Sequence, residues 1–82
     1  LIIARTDARA PLGLDEAIDR AKRYAEAGAD LLFVEAPQSE DELAHIGSEL
    51  SGHRLMANMV EFGKTPLLSA DRLAELGYCL II

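Results

Sequence analysis

The sequence predicts an α/β fold built as a parallel βαβαβαβ run, and three observations predict it. Four apolar runs, Leu1 to Ala4, Leu31 to Val34, Leu55 to Ala57 and Cys79 to Ile82, are too short for helices and show no alternation, the pattern of strands buried on both faces of a parallel sheet. Amphipathic stretches with apolar residues every three or four positions separate them. Each stretch closes on a glycine, Gly28, Gly52 or Gly77, before the next apolar run, as helices do when a left-handed residue ends them. A strand that reaches its successor through a helix makes a right-handed crossover, so the four strands belong to one parallel sheet.

The elements follow in order. In the first helix Leu14, Ala17, Ile18, Ala21 and Ala25 make the apolar stripe, and Asp15, Asp19, Lys22, Arg23 and Glu26 fill the other side. The second helix starts at Ser39, which with Glu42 forms a capping box, two reciprocal hydrogen bonds that satisfy otherwise orphaned N–H groups. Leu43, Ile46 and Leu50 are its buried stripe. The third and shortest helix is capped by Ser69 and turns Leu73 and Leu76 inward. Tyr24 packs along the first helix and Phe33 belongs to the core.

This grammar is shared by the doubly wound open sheet and the (β/α)8 barrel. A dinucleotide-binding doubly wound fold places G-x-G-x-x-G after its first strand, but here Arg5-Thr6-Asp7 follows, with no glycine triad. That weakens the doubly wound reading; a barrel needs about 250 residues, so on the barrel reading 82 residues would form a contiguous arc of one, with no internal domain boundary. The chain opens on Leu1-Ile2-Ile3 without a methionine and closes on Leu80-Ile81-Ile82, and it reads as part of something larger.

Composition narrows the partners. Half the residues are hydrophobic, 27% are charged, and 14 acidic against 8 basic residues leave a net charge of −6. That balance offers no electrostatic footprint for nucleic acid or an anionic membrane, and no apolar run approaches the roughly 20 residues that span a bilayer. The single cysteine, Cys79, closes no internal disulfide and reads as an inert core thiol. A reducing, cytoplasmic compartment is expected.

In parallel α/β folds ligands bind at the carboxyl ends of the strands. The polar residues there are Arg5, Thr6 and Asp7 after the first run, Glu35 after the second and Asn58 after the third. Arg5 offers a planar fork for a carboxylate or phosphate. Glu35 can orient that fork, hold water on a divalent cation or move a proton, and Asn58 can donate to an oxygen that gains charge. Structural readings stand beside these: Arg5 and Glu35 as a buried ion pair, Asp7 as a turn residue or a partner for Arg9, Asn58 as a turn residue. His45 and His53 lie near the amino ends of strands, away from the expected site. The Glu61–Pro66 connection is long and carries Lys64, a loop of the kind that covers sites.

Four segments, IIARTDA, LDEAIDRAKRYAEAGAD, LLFVEAP and ANMVEFGKTPLLSADRLAELGY, in this order and spacing, resemble the isocitrate lyase and phosphoenolpyruvate mutase superfamily across essentially the whole chain. The resemblance implies a Mg2+-dependent (β/α)8 barrel, homotetrameric when full length, of which this chain is about strands four to seven. It implies that Arg5 binds a substrate carboxylate, that Glu35 lies beside substrate and metal-bound water, and that Asn58, Met59 and Val60 contact substrate; Asp7, placed just after the strand, is the supporting residue that its position suggests. The Mg2+ aspartates and the K-K/R-C-G-H loop with the lyase cysteine belong to earlier strands, so no catalytic residue and no direct metal ligand is expected within this arc, and the arc alone is expected to be inactive. Phe62 in N-M-V-E-F-G points to the 2-methylisocitrate lyases, which cleave a carbon–carbon bond to give pyruvate and succinate, over the dimethylmalate lyase and carboxyphosphonate mutase groups, which E-G-G in place of Glu61-Phe62-Gly63 would resemble more. The implied reaction passes through a pyruvate enolate stabilised by Mg2+ and Arg5. An oxaloacetate decarboxylase or phosphonate mutase of the same superfamily is the alternative, and a non-catalytic α/β module is the non-enzymatic one.

Overall fold

The structure, a computed structural model, describes residues 1–59 and 67–82. Its elements are β1 (Ile3–Thr6), α1 (Arg9–Leu12), α2 (Leu14–Glu26), β2 (Leu31–Val34), α3 (Glu40–Glu49), β3 (Leu55–Ala57), α4 (Ala70–Glu75) and β4 (Tyr78–Ile81). The strands form one parallel sheet in the order β1-β2-β3-β4, as predicted. Ile3 lies opposite Leu31, Arg5 opposite Phe33, and Phe33 opposite Met56.

Side chains alternate across that sheet, and the two faces differ. Leu32, Val34, Leu55, Ala57 and Tyr78 pack with Ala17, Ile18 and Ala21 of α2, with Leu43 and Ile46 of α3 and with Leu73 of α4 in the main core. The other face carries Leu31, Phe33 and Met56. By register Ile3 and Leu80 belong to this second face, where they stay exposed. The expectation of burial on both faces holds for β2 and β3 and not for β1 and β4, which are the outer strands of this arc.

Two strands are displaced from their apolar runs. β1 covers residues 3–6 and not 1–4, because the Ile2 carbonyl already accepts from the Asp30 and Leu31 amides at 2.9 and 3.1 Å and the Asp30 carboxylate takes the Ile2 amide at 2.7 Å. Leu1 lies beyond the sheet, and at the other end the register pairs Arg5 with Phe33 and Thr6 with Val34, so Arg5 and Thr6 are strand residues and do not follow the strand. β4 starts at Tyr78, whose buried hydroxyl donates to the Leu43 carbonyl at 3.1 Å. An irregularity between Leu55 and Met56 sets Tyr78 and Leu80 as successive partners of β3. Cys79, skipped by that register, is exposed and is not the core thiol the sequence suggested.

The helices keep their predicted stripes. Ser39 Oγ accepts from the Glu42 amide and Ser69 Oγ from the Arg72 amide, both at 3.1 Å. The reciprocal half of the capping box differs: Glu42 Oε1 accepts from the Gln38 amide at 3.1 Å, one residue before Ser39, because Arg9 draws the carboxylate toward itself. The short α1 was not predicted. Its Pro11 sits in the first turn, where a missing N–H leaves no bond unmade. Gly28, at φ +106°, ends α2 in a conformation that L side chains rarely adopt. Gly47 of α3 meets the backbone of Leu76, just after α4: a Cβ there would overlap the Leu76 carbonyl oxygen and stand 3.1 Å from its carbon.

Candidate functional site

β1 aims its residues by alternation. Thr6 turns toward the helices, where it is 3% exposed, and its Oγ1 accepts from the Ala8 amide at 3.2 Å, bending the chain toward α1. Arg5 therefore leaves the sheet on the face opposite the helices. Its Cζ stands 5.3 Å from the centroid of the Phe33 ring, the neighbour that the β1–β2 register dictates. The guanidinium Nε donates to Asp7 Oδ1 at 3.0 Å, and Nη2 lies 2.9 Å from the same oxygen. Nη2 lies 3.7 Å from Glu35 Oε2. The hydrogen bond to Asp7 first, and then the charges of Asp7 and Glu35, raise the Arg5 pKa above its ordinary value, so the cation persists at any working pH.

Glu35 follows β2 directly, and its amide donates to the Thr6 carbonyl at 3.0 Å, which holds the two strand ends together. Its Oε2 is buried and has no hydrogen-bond partner among the described residues. An unpaired buried carboxylate oxygen is costly and is an acceptor for an incoming donor. The backbone beyond it is constrained: Ala36 adopts φ +59°, a left-handed conformation disfavoured for a residue with a Cβ, and Pro37 is buried. Glu35, Ala36 and Pro37 share a cavity of about 10 Å³ with Phe33, Asn58 and Met59, room for about one water. Asn58 and Met59 follow β3, half-buried, and the Met59 amide donates to the Ile82 carbonyl at 2.8 Å.

The structure thus brings Arg5, Asp7 and Glu35 into one cluster and gathers Glu35, Asn58 and Met59 around one cavity. Val60 lies outside the described residues, as do Phe62, Lys64 and the rest of the Glu61–Pro66 connection. Arg5 and Glu35 are not the closed, buried ion pair of the structural reading: the Arg5 side chain is 54% exposed and makes no hydrogen bond to Glu35. Asp7 pairs with Arg5, not with Arg9. Arg9 instead grips Glu42, Nε to Oε1 at 2.6 Å and Nη2 to Oε2 at 2.7 Å. Sequence reasoning missed this pair, whose one signal is opposite charge in the opening turns of helices that follow adjacent strands. His45 and His53 are exposed and take no part. Among the described residues no group of three His, Cys, Asp or Glu side chains could hold a metal ion, and no helix is long and apolar enough to cross a membrane.

A parallel β/α arc with a cation, a carboxylate and an amide at the carboxyl ends of consecutive strands defines a segment of a (β/α)-barrel protein. The family model described as phosphoenolpyruvate phosphomutase matches residues 1–82, and the chain belongs to the phosphoenolpyruvate mutase/isocitrate lyase superfamily. It is 50% identical over 82 residues to a 2,3-dimethylmalate lyase of Eubacterium barkeri, covering all of this chain and 28% of the relative. It is 51% identical over 82 residues to a probable 2-methylisocitrate lyase of Corynebacterium glutamicum, covering all of this chain and 27% of the relative. A crystal structure of a 2,3-dimethylmalate lyase of this superfamily superposes with a TM-score of 0.96 at 38% identity, over all of this chain and 29% of that one. The chain spans about a quarter of the length of the curated relatives it matches.

Proposed function

We propose that the protein containing this arc, as about strands four to seven of its barrel, is a Mg2+-dependent carbon–carbon lyase acting on a small 2-hydroxy di- or tricarboxylate of the 2-methylisocitrate or 2,3-dimethylmalate type. The observation that carries the proposal is the half-open Arg5 fork, held by Asp7 over Phe33 beside a buried and unpartnered Glu35 oxygen. Relatives named for both substrates, at 51% and 50% identity, support the reaction class equally.

In this reading Arg5 binds a substrate carboxylate through Nη1 and the outer edge of Nη2, while Asp7 keeps Nε and fixes the plane of the fork. Asn58 donates its amide to a substrate oxygen, with Met59 and Val60 shaping the wall beside it. Glu35 is compatible with a cation held outside the arc: its Oε2, an acceptor without a hydrogen-bond donor among the described residues, would take a hydrogen bond from a water of Mg2+. Mg2+ supplies Lewis-acid charge to the oxygens of the 2-hydroxy acid when bound. The electron count corrects one expectation. Removing the hydroxyl proton makes the substrate C2 the carbonyl of pyruvate, and the pair from the broken C–C bond passes to the departing carbon, next to its own carboxylate, which a proton then quenches. The developing charge therefore lies on the succinate side for 2-methylisocitrate. A pyruvate enolate belongs to the alternative, oxaloacetate decarboxylation. Homotetrameric assembly in the cytoplasm, without nucleic acid or membrane partners, completes the proposal.

The test is the full-length protein with Mg2+, offered 2-methylisocitrate, 2,3-dimethylmalate and oxaloacetate. Pyruvate from either of the first two is expected. Pyruvate and CO2 from oxaloacetate alone supports the decarboxylase. Turnover of none of the three refutes the lyase reading and leaves the phosphonate mutase or the non-catalytic module.

A further inference from the structure

We propose that Arg9 and Glu42 are positioning residues that hold the Glu35 carboxylate in the site, an inference that rests on the lyase reading above. The pair is a fork-on-fork contact at 2.6 and 2.7 Å, and both side chains are 19% exposed. Glu42 makes three contacts at once: it takes Arg9 from the start of α1, accepts the Gln38 amide from the connection after β2, and gives its own amide to Ser39 at the start of α3. The Arg9 hydrogen bond first, and then the Gln38 amide, depress the Glu42 pKa, so the carboxylate stays charged and the grip persists across neutral pH.

The leverage on Glu35 comes from how little chain lies between. Only Ala36 and Pro37 separate Glu35 from Gln38. Ala36 is in the left-handed region and Pro37 has its φ fixed by its ring, so the two behave as a stiff link. Residues in such conformations persist where surrounding contacts over-determine them; the Glu35 amide bond to the Thr6 carbonyl holds the chain before the link, and the Gln38–Glu42–Arg9 chain holds it after. Nothing among the described residues hydrogen-bonds Glu35 Oε2, and the Arg5 charge reaches it only at 3.7 Å, so the backbone that carries Glu35 is the main constraint on where that oxygen stands. Arg5 is placed differently, by β1 and by Asp7. Loosening the clasp should therefore displace Glu35 and spare Arg5.

The experiment uses the full-length protein and the variants Arg9→Ala, Arg9→Lys and Glu42→Gln. Pyruvate release by Arg9→Ala is expected to show kcat down roughly ten- to a hundredfold, the effect of a small misplacement at a reacting centre, with KM within about twofold. Arg9→Lys, a point charge without the fork, is expected to fall between it and wild type. Peptide-level hydrogen exchange over residues 35–38 is expected to quicken in Arg9→Ala and less in Arg9→Lys. An unchanged kcat with a lowered melting temperature, or a rise in KM alone, overturns the proposal. Glu42→Gln keeps the side-chain volume at the cap and carries the same test where Arg9→Ala does not fold. If wild type turns over no substrate, the lyase reading fails by itself. Exchange over 35–38 then decides the clasp: faster in Arg9→Ala supports it, and unchanged overturns it.

Discussion

Replacing Arg5 with alanine in the full-length protein separates the fold from the ligand. For the fold, Arg5 does little. Its side chain is 54% exposed, its partner Asp7 is two residues away and 68% exposed, and pairs of that kind contribute marginally because solvent screens them and ordering costs entropy. The Phe33 contact at 5.3 Å adds a modest cation–π attraction. The melting temperature should fall by no more than about 3 °C. For the ligand, Arg5 does a great deal. Nε and one edge of Nη2 are committed to Asp7, which leaves Nη1 and the other edge of Nη2 for a carboxylate. Two charge-assisted hydrogen bonds, each worth a factor of roughly ten to a hundred, predict a loss in kcat/KM of about 10² to 10⁴. Arg5→Lys restores charge without the fork and should recover only a small part. Pyruvate release followed by a coupled dehydrogenase, beside thermal melts of the same samples, measures both. A kcat/KM within threefold of wild type, or a melting temperature lowered by 10 °C or more, would show that Arg5 is a structural residue and that the carboxylate site is wrongly placed.

Three further outcomes test the packing around the site. Gly47→Ala gains up to about 1 kcal/mol in helix propensity but drives a methyl into the Leu76 backbone, an overlap costing about 3 kcal/mol; urea unfolding should show a net loss of about 2 kcal/mol, while Ser48→Ala, exposed beside it, should show none. Tyr78→Phe should lose about 1 kcal/mol with its hydrogen bond to Leu43. Burial raises the Tyr78 pKa above its usual 10.0, so the unfolded chain ionises first and stability falls as pH rises past that value; unfolding midpoints should show that slope in wild type and a flatter one in Tyr78→Phe. Glu42 works in the opposite sense: its pKa lies below the usual 4.5, so its contribution is present above that pH and is lost as pH falls below it, and Glu42→Gln should flatten the acid limb of the same curve.

Periodicity and caps made most of the architecture legible. The strands of residues 31–34 and 55–57 stand where their apolar runs placed them, because both are central and bury both faces. The outer strands slipped by one or two residues because their face away from the helices carries exposed Ile3 and Leu80, and hydrophobicity there no longer marks where hydrogen bonding begins. Arg5, Glu35 and Asn58 could be named from the rule that ligands meet the carboxyl ends of strands. The grip of Arg9 on Glu42 could not, since 33 residues separate the two and no local pattern joins them. The Glu42 side chain answers to a neighbour brought near by the sheet, and it gave up its expected bond to Ser39 for that reason.

The plain order of the sheet has a consequence for how the chain comes to be folded. Ile3 pairs with Leu31, Leu32 with Leu55, and Leu55 with Tyr78, so every strand meets the strand next in sequence after a single helical connection, and closing each loop carries a similar entropy. No strand among the described residues waits for a partner made much later. As the chain leaves the ribosome, each new β/α unit can settle on the one before it, and synthesis and folding can run in the same direction.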